Sequence, residues 1–209
     1  MTRRSMEDER RGALIRAAID AIDGEGSLGV TMAEIARRAS VSPALAHHYF
    51  GAKDDLLIAA MRHLLGEYRA GVTQRLRTAE TPRARISAIV EGCFDPNQFS
   101  AEAISAWLVF YLHARRNPEA ARLLAVYFRR LESNLVDALA PLIGRDRARP
   151  IAQAAGSMID GVWLRHALVS PRRGAPLHGP DRLAAIALIE RFIDFEVVRS
   201  TDPAGARGA

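Results

Sequence analysis

Eight residues in one short stretch carry side chains suited to holding a polyanion: Thr31, Ser42, Pro43, Ala44, His47, His48, Tyr49 and Lys53. Thr31, Tyr49 and Lys53 offer a hydroxyl or an ammonium of the kind that binds phosphate oxygens. Ser42, Ala44, His47 and His48 are small or hydrogen-bonding groups of the kind that meets base edges in a groove. Lys53 is the chain's only lysine. The implied chemistry is recognition rather than bond making.

Their spacing calls for two short helices joined by a tight turn. Thr31 is a fitting N-cap, and Glu34, three residues on, completes the pattern of a capping box. Ile35 and Ala36 supply a buried face, Ala39 is small enough for the turn, and Val41 is an apolar plug between the helices. Ser42 caps the second helix, and Pro43 takes its first position, where a missing N–H costs nothing. Helices this short do not persist alone, because nucleation is costly. They read as a helix-turn-helix whose second helix enters the DNA major groove. The other reading is a helical hairpin inside a bundle, with His48 and Tyr49 as packing residues.

The remaining chain reads as helix throughout. Leu14, Ile15, Ala18, Ile19 and Ile22 recur at helical spacing, predicting a helix from about Glu9 to Asp23 that Gly24 and Gly26 end. A long helix runs from about Asp54 to Thr78. Thr81-Pro82 opens another, broken at Asp95-Pro96-Asn97-Gln98. Ser100 caps the next, and Asn117-Pro118 opens a long one through Leu139, closed by Gly144. Helices from about Asp146 to Val169 and from Asp181 to Val198 flank a loop at 170–180. The expectation is an all-α fold of about nine helices. A DNA-binding headpiece covers 1–53, a helical ligand-binding and dimerisation body 54–199, and a disordered tail 200–209.

Across 209 residues, 49% hydrophobic content allows a sizeable core, and the net charge of +5 suits a polyanionic partner. Arg3, Arg4, Arg10 and Arg11 form either an arm touching DNA or a solvated tail. A single cysteine, Cys93, excludes an intrachain disulfide and fits a reducing cytoplasm. No apolar run is long enough to span a membrane, and the start has no signal-peptide core. Gly24-Glu-Gly-Ser-Leu-Gly29 imitates a dinucleotide-binding motif, but it follows a helix rather than a strand. His63, His113, His166 and His178 are isolated, without metal-ligand spacing. The expectation is no enzyme, no cofactor and no metal. An enzyme using Asp95 and Asp160 as acid and base, or a scaffold that binds only proteins, are the rival classes.

Val41-Ser-Pro-Ala-Leu-Ala-His-His-Tyr-Phe-Gly-Ala-Lys-Asp-Asp-Leu-Leu57 resembles the signature of the TetR family of bacterial transcriptional regulators. The resemblance implies a three-helix DNA-binding headpiece, a homodimer, and a body that binds a small-molecule inducer. It also implies that Lys53, at the start of the fourth helix, binds the DNA backbone. Ala44 replaces a usual glycine, and His47 stands where many members carry a phosphate-binding tyrosine. Phe94 to Tyr111, Arg129 to Val136 and Ile159 to Leu168 resemble the BetI-type subgroup. Its members repress genes of choline uptake and oxidation and are released from DNA by choline. Relatives with the same motifs respond to other ligands.

A quaternary ammonium has no N–H to donate, so aromatic faces and a carboxylate must hold it. Asp95, Phe99, Trp107, Phe110, Tyr111, Asp160 and Trp163 are the candidates. Trp107, Phe110 and Tyr111 share a helical face by spacing, and Asp160 and Trp163 share another. The same residues also suit a plain core. The final helix is apolar on two sides, with Leu183, Ile186, Ile189 and Ile193 on one and Leu188, Phe192 and Phe195 on the other. A helix apolar all round must be covered all round, which predicts a two-fold homodimer through the last two helices, facing a near-palindromic operator in double-stranded DNA.

Overall fold

The computed structural model describes residues 3–25, 29–96, 98–169 and 181–201. Among them are nine α-helices and no strand: α1 (Arg3–Glu25), α2 (Met32–Arg38), α3 (Pro43–Phe50), α4 (Lys53–Thr78), α5 (Pro82–Cys93), α6 (Ala101–Ala114), α7 (Pro118–Ile143), α8 (Arg145–Val169) and α9 (Arg182–Thr201). Gly26, Asn97, the 170–180 loop with His178, and tail residues 202–209 lie outside the described residues.

The cap residues read from the sequence start their helices. Thr81 Oγ1 accepts the Ala84 N–H at 3.1 Å, Ser100 Oγ accepts Ala103 N–H at 3.2 Å, and Asn117 Oδ1 accepts Glu119 N–H at 2.9 Å. Gly144 closes α7 with a positive φ of 80°. Some boundaries differ from expectation: α1 runs through Gly24 to Glu25, and α7 past Leu139 to Ile143. α1 begins at Arg3, so the N-terminal arginines belong to a helix and not to an arm; arginine and glutamate are good helix formers. α9 continues through Ser200 to Thr201, whose hydroxyl donates to the Val198 carbonyl at 2.9 Å.

The chain forms two compact units. The first holds residues up to 66 together with 100–124. In it α1 packs on α2 and α6, and α2 packs on α3. Its core is Leu14, Ala18, Ile22, Ile35, Ala36, Ala46, Leu56, Leu57 and Met61, each fully or almost fully buried. Ser105 of α6 donates to the Asp23 carboxylate of α1 at 2.6 Å.

The second unit holds 67–99 and the residues from 125 on. Here α9 packs on α5 and α8. Ala185, Ile186, Ile189 and Ile193 are the buried face of α9. Leu183 is not part of that face: it is 67% exposed, with Leu188, Phe195 and Val198. Arg83 of α5 holds Asp194 through Nε at 2.7 Å and Nη2 at 2.9 Å, and Ser87 donates to Glu190 at 2.5 Å, fixing α9 against α5. Gly92 faces Val72, where a Cβ would come within 2.5 Å of Val72 Cγ2; only glycine permits that approach of α5 to α4.

Candidate functional site

The turn between α2 and α3 is closed by backbone bonds. Ala39 N–H donates to Ile35 O at 3.0 Å and Val41 N–H to Ala36 O at 3.0 Å, while Ser40 takes a left-handed φ of 55°. Thr31 Oγ1 accepts Glu34 N–H at 3.2 Å. The reciprocal half of the expected capping box is replaced: the Glu34 carboxylate pairs with Arg38 at 3.0 Å, since a cation one turn on competes for it. Ser42 Oγ accepts Leu45 N–H at 3.2 Å, and Pro43 occupies the first turn of α3.

Burial divides α3 by face. Ala46 and Phe50, four apart, are buried, Leu45 and Tyr49 are half-buried, and Pro43, Ala44, His47 and His48 are exposed. The outward side therefore presents one turn of small groups followed by two imidazoles. Gly51 ends the helix at φ 72°, a conformation that costs glycine little, and its N–H donates to His47 O at 2.7 Å. His47 Nδ1 lies 2.7 Å from the Gly51 carbonyl, so Nδ1 carries the proton and donates, and Nε2 is the nitrogen left for a further partner. His48 and Tyr49 rings lie 5.6 Å apart. Asp55 Oδ2 accepts the Ala52 N–H at 3.1 Å, so α4 begins at once with Lys53, half-buried beside the reading helix in sequence. Thr31 is exposed at the start of α2.

The seven candidate ligand residues are divided between the units. Trp107, Phe110 and Tyr111 lie in the first, where Phe110 is fully buried and the Trp107 and Tyr111 rings are 6.0 Å apart. Asp95, Phe99, Asp160 and Trp163 lie in the second. Trp163 stacks on Phe94 at 6.5 Å and meets the edge of Phe99 at 5.3 Å; Phe99 also lies 4.5 Å from His166. Asp95 pairs with Arg75 at 2.7 Å, on the wall of a cleft of about 570 Å³ that Glu67, Gln74 and Gln98 also line.

Asp160 has neighbours that spacing did not suggest. The Tyr68 hydroxyl and Cys93 Sγ are 3.7 Å apart, and Tyr68 meets Tyr127 edge-on at 5.1 Å. Burial, with the Asp160 charge nearby, pushes the Cys93 thiol from 9.0 up to about 12. Burial first, then Cys93 and Asp160, raises Tyr68 well above its ordinary value. This interior is a set of neutral hydroxyl and thiol groups, two tyrosine faces and one carboxylate. Spacing in the sequence links neither Tyr68 nor Tyr127 to this cluster. Burial lowers His166. Among the described residues no group of three or more His, Cys, Asp or Glu is placed to hold a metal ion, and no helix is long and apolar enough to cross a membrane.

A short recognition helix, capped by serine, ended by glycine and exposing a polar face from a three-helix scaffold, defines a helix-turn-helix DNA-binding protein of all-helical build. Residues 14–60 match the family described as bacterial regulatory proteins, tetR family, and residues 82–195 match the BetI-type transcriptional repressor, C-terminal family. The chain is 50% identical over 198 residues to the HTH-type transcriptional regulator BetI of Brucella anthropi, covering 95% of this chain and 98% of that one. It is 46% identical over 194 residues to BetI of Rhizobium meliloti, covering 93% and 92%. The chain therefore belongs to the TetR family, in its BetI-type branch: it is a transcriptional regulator and not an enzyme. Solved structures share the fold. A transcriptional regulator of Pseudomonas aeruginosa PAO1 superposes with a TM-score of 0.76 at 22% identity, covering 97% of this chain and 95% of that one. One from Saccharomonospora viridis, solved in complex with choline, gives 0.72 at 19% identity, covering 91% and 96%.

Proposed function

We propose that this protein is a dimeric repressor that binds a near-palindromic operator and is released by a quaternary ammonium compound, choline first among them, in the cytoplasm. The exposed face of α3 carries the reading. Ser42, Pro43, Ala44, His47 and His48 address base edges, while Thr31, Tyr49 and Lys53 hold the backbone, within a headpiece of residues 1–53. Residues 54–199 form the body, which α9 extends to Thr201.

Membership of the BetI-type branch and the choline bound to the Saccharomonospora viridis protein support the inducer class. Within the second unit, Asp160 supplies negative charge beside Tyr68, and Trp163 and Phe99 supply ring faces, the combination a permanent cation needs. Leu164, Leu168, Leu183, Leu188, Phe195 and Val198 are apolar and exposed on α8 and α9, which favours a second copy covering them. α4 is the natural lever, since the helix that opens with Lys53 also carries Tyr68. An inducer shifts the population toward a state in which the headpieces no longer fit both half-sites.

The test is a titration at fixed salt. Choline is added to the wild-type complex with a duplex that the protein itself enriches from a randomised library. Operator affinity should fall by a factor of roughly 5 to 150, the usual range of such coupling. Asp160→Asn should bind the duplex normally and lose the choline response. A duplex affinity indifferent to choline refutes the inducer, and sedimentation as a lone chain refutes the dimer.

A further inference from the structure

Arg11, on α1, is committed to the far end of the reading helix. Its Nη1–H donates to the carbonyl of Tyr49 at 2.7 Å, across 38 residues of chain. Its Cζ lies 4.5 Å from the ring centroid of Phe50, the next residue. These two contacts come from one guanidinium and fall on the last two residues of α3.

The end of an eight-residue helix is where its fit is least determined. Its last carbonyls have no partner inside the helix, and the negative end of its dipole faces outward. A cation there is favourable, and a planar one can do two things at once. The guanidinium donates to the carbonyl through Nη1 while its central carbon sits over the ring; an ammonium is a single charged centre without that extended planar fork. The carbonyl bond fixes how far α3 stands from α1, and the ring contact fixes its rotation. His47 and His48 lie within the same last turn, so any tilt of α3 displaces them directly. The His47 Nδ1 bond to the Gly51 carbonyl belongs to the same terminus.

We propose that Arg11 is a positioning residue for DNA reading: it clamps the C-terminal turn of α3 so that the two imidazoles meet base edges in register, and it does not itself hold a phosphate. The inference rests on the DNA-reading face argued above.

The experiment uses the full chain and two duplexes, one enriched by the wild-type protein from a randomised library and one of unselected sequence. Affinity for both is measured over a range of salt for wild type, Arg11→Met, Arg11→Lys, Phe50→Leu and the Arg11→Met/Phe50→Leu pair, with thermal melting of each. Arg11→Met should weaken the enriched duplex about tenfold, the value of a charge-assisted bond, and leave the unselected duplex and the salt slope unchanged. Arg11→Lys should recover part of the loss, and the paired variant should lose less than the sum of its singles. If Arg11→Met melts early, Arg11→Lys carries the same comparison, with a smaller loss confined to the enriched duplex. Equal weakening of both duplexes with a salt slope reduced by about one makes Arg11 a phosphate contact and overturns the clamp. So does Arg11→Met binding like wild type while wild type discriminates. A wild-type chain that enriches no duplex overturns the DNA reading, and the clamp falls with it.

Discussion

From Thr31 to Asp55 the bonds that close the turn and cap the helices join residues three to five apart, Thr31 to Glu34, Val41 to Ala36, Ser42 to Leu45, Gly51 to His47 and Ala52 to Asp55, with Arg11 to Tyr49 as the long-range addition. The interior of the second unit is assembled from distant pieces. Tyr68, Cys93, Tyr127 and Asp160 come from four helices, and Phe94 and Phe99, from the segment between α5 and α6, meet Trp163 of α8. One region is a local code with an exposed polar face. The other is a packed enclosure whose chemistry depends on burial. Substitutions in the first should change what the protein binds more than whether it folds, and those in the second should do the reverse.

The sharpest way to break that contrast is Gly92→Ala. A methyl group 2.5 Å from Val72 Cγ2 and 3.3 Å from its Cα forces α4 and α5 apart, at a cost of about 2 to 3 kcal/mol in thermal unfolding. Gly66→Ala, with nothing within 4 Å of the added Cβ, is the control and should not lose stability. Equal melting of the two variants would mean the interior is looser than its contacts imply.

Alkaline pH probes the same enclosure. The folded state holds the Cys93 proton up to about 12, whereas an unfolded thiol releases it near 9.0. Between those values the unfolded chain binds fewer protons, so stability is complete below the lower value and declines as pH rises through the window. Tyr68 acts in the same direction. Chemical denaturation across this range should show the decline, and Cys93→Ala should make it shallower.

In the reading end, Ser42→Ala removes the cap of α3 and should cost about 1 kcal/mol, with Ser42→Gly costing only a few tenths. Lys53→Gln should move stability least, by less than about 0.5 kcal/mol. Its effect belongs to binding: enriched and unselected duplexes weaken alike, and the salt slope falls by about one. A Lys53→Gln variant that melts early but binds normally would place Lys53 with the scaffold.

This division also explains what sequence alone could reveal. N-caps, proline at first helical positions and glycine stops act within a few residues, so the helix order, the turn and the outward face of α3 were legible. The partner of Glu34 was misjudged because two local bonds compete and only the folded geometry chooses Arg38. Arg11 read as part of an arm touching DNA or of a solvated tail, since its partners Tyr49 and Phe50 lie 38 and 39 residues on and nothing in spacing links them. Asp95 looked like a ligand group from its neighbours in sequence, yet its ion-pair partner is Arg75, one helix back. Tyr68 was invisible as a companion of Asp160, and Tyr127 as a companion of Tyr68, because only packing brings them together. Leu183 shared a spacing with Ile186 but lies at the open first turn of α9, where the helix has little to cover it.

The burial of Cys93 has a practical consequence. A thiol only 3% exposed and held as the neutral S–H does not react with maleimides or nitroxide reagents while the chain is folded. A cysteine placed at an exposed position such as Asp54 would then be the one labelled atom in the molecule, with the native residue left in place. A fluorophore or spin probe beside the reading helix could follow its motion on DNA without a cysteine-free background having to be made first.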